Sequence, residues 1–64
     1  MSATSAELAA AAEAIVGYQR RVGALAGEFA PGERDDLVTA IYEAERALGV
    51  AEKAIRRAGR LAAG

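Results

Sequence analysis

Apolar residues recur along this chain at alternating steps of three and four, and the pattern is interrupted only once, at Gly27-Glu28-Phe29-Ala30-Pro31-Gly32. That spacing is the repeat of one helix face, so it predicts two amphipathic helices and no strand. Before the interruption it is carried by Leu8, Ala11, Ile15, Tyr18, Val22, Leu25 and Phe29. After it the carriers are Leu37, Ile41, Ala44, Leu48, Ala51, Ile55, Ala58 and Ala62. A further small row, Ala40, Ala47, Ala54 and Leu61, runs beside the second seam. Pro31 disfavours helix in the residue before it and suits the first turn of the next one, while Gly27 or Gly32 can take a left-handed or capping conformation.

Local signals then set the ends. Thr4 followed by Glu7 has the form of a capping box, and Glu33, Asp35 and Asp36 crowd the start of the second helix, where the helix dipole favours negative charge. Arg56, Arg57 and Arg60 suit its C-terminal end. The expected helices cover about residues 5–28 and about 32–62, joined by a loop over about 29–31, in a single domain spanning 1–64.

A turn near Ala30 folds the two helices into an antiparallel hairpin. Leu25 then faces Leu37, Val22 faces Ile41, Tyr18 faces Ala44, Ile15 faces Leu48, Ala11 faces Ala51 and Leu8 faces Ile55. The same register brings Arg20 and Arg21 near Asp36 and Glu43, and Glu7 near Lys53 and Arg57. The expected fold class is therefore all-α, a two-helix hairpin. Small residues flank both seams, with Ala9, Ala12, Val16, Gly23 and Ala26 beside the first. A hairpin of this kind accepts more helices, and a four-helix bundle made by dimerisation or by packing on a partner is the simplest closure.

Length supports that expectation. A chain of 64 residues buries only about 60% of its unfolded surface, and chains of this size rely on disulfides, a metal or a partner. Cysteine and histidine are both absent, which leaves association. The formal net charge of −1 gives no general attraction to nucleic acid or acidic membranes. No uncharged apolar run approaches the length of a membrane span, and the start of the chain has no basic segment of the kind that opens a signal peptide. The expected location is cytoplasmic.

Few residues carry chemistry. Without histidine or cysteine no ordinary nucleophile–base pair forms, and the Glu-x-x-His pairs of a di-metal bundle are missing. No catalytic residue, cofactor or metal is expected. Arg20, Arg21, Arg46 and Glu43 are the groups a small bundle enzyme would use in an Arg/Glu pocket. Lys53, Arg56, Arg57 and Arg60 fall in a stretch with no acid. This basic end suits the helix dipole, an acidic stretch of an antiparallel neighbour, or phosphate binding. Val38, Tyr42, Gly49 and Val50 lie off the main seam and are candidates for docking a partner. Gly17, Gly23 and Gly49 each weaken a helix by about 1 kcal/mol relative to alanine, which points to close contacts or to flexibility at those sites.

In outline the chain is similar to the small secreted helical hairpins of actinobacteria, although it is shorter and lacks their Trp-x-Gly turn. In architecture alone it also resembles the plasmid copy-control hairpin that dimerises and binds RNA. Neither resemblance carries residues over.

The leading expectation is a non-enzymatic helical-hairpin interaction module, pairing with itself as a homodimer or serving as a small subunit or adaptor on another helical protein. The alternative is a nucleic-acid-associated regulator using Arg20, Arg21, Arg56, Arg57 and Arg60. The second alternative is the Arg/Glu-pocket enzyme.

Overall fold

The computed structural model describes residues 2–64 and holds two helices packed against each other, α1 (Ala3–Ala26) and α2 (Asp35–Ala63). α1 begins two residues earlier than expected because its cap is built from Ser2 and Ser5. The Ser5 amide donates to Ser2 Oγ and the Ser2 amide donates to Ser5 Oγ, both at 3.0 Å. This is a capping box in which a serine does the work usually done by glutamate. Thr4 and Glu7 lie inside the helix and do not form the box expected of them. Ser2 Oγ also donates to the Ala62 carbonyl at 3.5 Å, tying the start of α1 to the end of α2.

α1 ends at Ala26 because three short-range bonds tighten its last turn: Gly27 N–H to Ala24 O, Glu28 N–H to Leu25 O and Phe29 N–H to Ala26 O. The chain then reverses at Ala30-Pro31-Gly32-Glu33, where the Glu33 amide donates to the Ala30 carbonyl at 3.0 Å. Proline at the second position and Gly32 at the third, with φ +82, are the requirements of a type II turn. The connection therefore runs from Gly27 to Arg34, longer than the expected loop. At the start of α2 no side chain caps the backbone. Asp36 instead accepts from the Arg34 guanidinium at 3.2 Å. That contact first, and the Leu37 backbone amide second, hold its carboxyl below the usual aspartate range.

The longer turn displaces the register. Leu8 lies against Gly59, four residues further along α2 than the Ile55 expected to face it. Gln19 packs over Gly49, and Glu45 packs over Gly23. The interhelical ion pair is Arg56 to Glu13, at 3.0 Å. The expected meetings of Arg20 and Arg21 with Asp36 and Glu43, and of Glu7 with Lys53 and Arg57, are not among the ion pairs of the described residues.

The seam also turns about each helix axis. On α1 the buried and half-buried line is Ser5, Leu8, Ala12, Ile15, Gln19, Val22 and Ala26; on α2 it is Val38, Ile41, Glu45, Leu48, Glu52, Ile55, Gly59 and Ala62. Both lines keep the alternating three-and-four step. Leu8, Ile15, Val22, Ile41, Leu48 and Ile55 stand where the sequence pattern puts them. Ala11, Tyr18, Leu25 and Ala44 do not: they are exposed, and Ala12, Gln19, Ala26 and Glu45 take their places inside. Leu37 and Ala51 are half-buried at the seam's edge. The polar members fit because Gly23 and Gly49 leave room on the facing helix for Glu45 and Gln19. The rotation also makes Ser5, Ala12 and Ala26 the buried residues of the seam and sets Gly59 against Leu8.

One layer of two helices makes a rod rather than a globule. Its Cα radius of gyration is 15.0 Å, against about 10.7 Å for a compact chain of this length. Among the described residues Ala12 and Ala26 are the buried apolar ones, and no large side chain is fully buried.

Candidate interaction surfaces

The hairpin has two broad faces, one on each edge of the seam. On the first edge Arg56 crosses from α2 to Glu13 of α1 while its Nε also donates to Glu52, one turn back on its own helix. Glu52 and then Glu13 raise the already high pKa of this guanidinium. Arg56 is thus half-buried and engaged by two carboxylates, which removes it from the candidate phosphate-binding set. Lys53, Arg57 and Arg60 remain exposed and have no ion-pair partner among the described residues. Beside them Gly59 opens a shallow recess lined by Ser5, Ala9, Arg56, Arg60 and Ala63.

The proposed docking quartet does not hold together. Val38 is half-buried in the seam, and Gly49 is covered by the Gln19 amide, whose Nε2 would lie 2.7 Å from an added Cβ. The space beside Gly49 is filled from within. Tyr42 and Val50 are exposed, at 55% and 64%, but on different rows of α2.

The second broad face is apolar on its α2 side. Along α2 it is the row Leu37, Ala40, Ala44, Ala47, Ala51, Ala54, Ala58 and Leu61, with no charged member. All but Leu37 and Ala51 are exposed, and Leu61 is 72% exposed. Helical geometry puts Ala11, Ala14, Tyr18 and Leu25 of α1 on the same edge, together with the exposed Glu7 and Arg21. The sequence pattern shows part of the α2 row, in Ala40, Ala47, Ala54 and Leu61, but assigns Leu37, Ala44, Ala51 and Ala58 to the hairpin seam. The signal that joins them is the uninterrupted alternation of three and four from Leu37 to Leu61.

The groups considered for a catalytic pocket do not converge. Arg20, Arg21, Arg46 and Glu43 are all exposed, and Arg21 lies over the Tyr18 ring at 5.6 Å from its centroid. The recess at that point is lined by α1 residues alone: Ala14, Gly17, Tyr18 and Arg21. Among the described residues there is no cluster of three acidic groups able to hold a metal ion, no buried side-chain polar atom without a partner, and no helix long and apolar enough to cross a membrane. Comparison with protein-family models, curated proteins and solved structures finds no match to this chain.

Proposed function

We propose that this chain is a non-enzymatic association module, a helical hairpin that completes a four-helix bundle with a second copy of itself or with another helical protein. The observation that carries the reading is its surface. The hairpin exposes 4661 Å², roughly 800 Å² more than a globular chain of its 6.6 kDa mass. That excess is close to the ~800 Å² which one partner buries in a standard interface. Large apolar side chains stand in the same exposed surface: Tyr18, Leu25, Tyr42, Val50 and Leu61. A cytoplasmic location belongs to this reading, since nothing in the fold relies on a disulfide.

Sedimentation and thermal melting across a dilution series test it. A dimer or larger species is expected, with a melting temperature that rises with concentration. A stably folded monomer at micromolar concentration, melting at one temperature throughout, rules out self-association and leaves only a different helical partner.

Lys53, Arg57 and Arg60, exposed and without an ion-pair partner among the described residues, support a second reading, a nucleic-acid-associated regulator. It requires the chain to retard DNA or RNA with a steep salt dependence that replacing these three cations by glutamine flattens. The association reading expects no such binding at physiological salt.

A further inference from the structure

The apolar row of α2 reads the same from both ends. Leu37 and Leu61 stand at its limits, and the six positions between them are all alanine. Turned end over end about the midpoint between Ala47 and Ala51, the row falls on itself: Leu37 on Leu61, Ala40 on Ala58, Ala44 on Ala54 and Ala47 on Ala51. An isologous twofold contact needs this property, because one patch must be complementary to itself. We propose that the occupant of this face is a second copy of the same chain, with the two α2 helices antiparallel along about 36 Å of contact. The inference rests on the association reading above and supplies its partner and geometry.

Charge selects the same arrangement. The row bordering the apolar face on its outer side is Asp36, Glu43, Val50 and Arg57. In the antiparallel pairing Glu43 comes beside Arg57 of the second copy, twice by symmetry, and Val50 meets its own mate at the twofold axis. A parallel pairing puts the two copies of this row on opposite flanks of the contact, so Glu43 and Arg57 lose each other as partners. The arrangement also accounts for Val50, a valine 64% exposed on a row otherwise charged. Alanine across the whole contact lets the two α2 axes approach to the lower end of the usual 8–10 Å range. The same twofold brings the α1 edges of the two copies toward each other, with Tyr18 and Leu25 exposed there beside Glu7 and Arg21 of the same row, so four helices close. The surface left over by the isolated hairpin, roughly 800 Å² per copy, is enough for such a pair.

The chain contains no cysteine, so introduced thiols report proximity cleanly. Leu37→Cys and Leu61→Cys proteins, each oxidised alone, should give little disulfide dimer, since each thiol lies far from its own mate. Mixed together they should form the Leu37–Leu61 disulfide in high yield. Val50→Cys should join to itself through a short bifunctional thiol reagent. Separately, Glu43→Arg and Arg57→Glu should each weaken the dimer several-fold at low salt, and the double exchange should restore it. If Leu37→Cys and Leu61→Cys each join to themselves and not to each other, the pairing is parallel and the proposal is overturned. A double exchange no tighter than the single ones overturns the charge register. If sedimentation shows a dimer of the unaltered chain but none of these thiols joins, another surface mediates it: the proposal fails and the association reading survives. A folded monomer at every concentration removes both.

Discussion

Gly23 and Gly49 each leave room for a long polar side chain from the opposite helix, Glu45 over the first and Gln19 over the second. Glycine in a helix interior is unfavourable by about 1 kcal/mol relative to alanine, and here that loss lets the helix backbones carry polar residues at seam positions. Gly17 has nothing within 4 Å of where a Cβ would stand. The three glycines should therefore respond differently to alanine. Gly17→Ala should stabilise the fold by about 0.5–1 kcal/mol, the full propensity gain. Gly23→Ala and Gly49→Ala should gain less, because the Glu45 carboxylate or the Gln19 amide must swing away. Urea unfolding of the three variants tests the order. Equal gains at all three sites would mean that Glu45 and Gln19 do not lie where the structure puts them.

At the scale of the helices, the start of α1 gives the sharpest contrast between pattern and structure. Ser2 Oγ accepts from the Ser5 amide, and Ser5, only 6% exposed, answers with its own hydroxyl. Ser2→Ala should cost about 1 kcal/mol, the usual loss of an N-cap, whereas Thr4→Ala should be nearly neutral. Loss of stability on Thr4→Ala and not on Ser2→Ala, followed by circular dichroism on heating, would return the cap to Thr4 and Glu7. The element types were legible in the sequence because a three-and-four repeat broken by one Pro-Gly pair admits little else. The seam was half legible. Leu8, Ile15, Val22, Ile41, Leu48 and Ile55 are large, apolar and unambiguous. Between them the choice lay between adjacent residues, and an apolar reading takes Tyr18 over Gln19 and Ala44 over Glu45. It had no access to Gly49 and Gly23, which make those polar choices fit. The register shifts at the turn, since the type II turn keeps Gly32 and Glu33 out of the expected second helix, which starts only at Asp35. The basic end was read as a set of four, and only coordinates separate Arg56, engaged by Glu52 and Glu13, from Lys53, Arg57 and Arg60.

At the scale of the whole molecule, an isolated hairpin and an assembled bundle differ most at Ala47. In the hairpin this residue is exposed, and a leucine there meets only water, so the effect on stability should stay within about 0.5 kcal/mol. In a bundle closed through α2, Ala47 lies beside Ala51 of the second copy at the middle of the contact. The added leucine atoms then have no space unless the helices separate along their whole length, and overpacking of this kind costs about 1–3 kcal/mol. Leucine is nearly as good a helix former as alanine, so the propensity loss in Ala47→Leu, about a few tenths of a kcal/mol, is small beside the packing effect. The expected result is a lower melting temperature and a weaker dimer at fixed concentration, with the helical signal unchanged at low temperature. Lys53→Leu is the matching control, placing the same side chain on α2 outside the apolar row. If Ala47→Leu melts at or above the temperature of the unaltered chain, the alanine face is open to solvent in the native assembly. The proposed bundle then either closes through the other edge, where Tyr42 and Arg56 lie, or does not form.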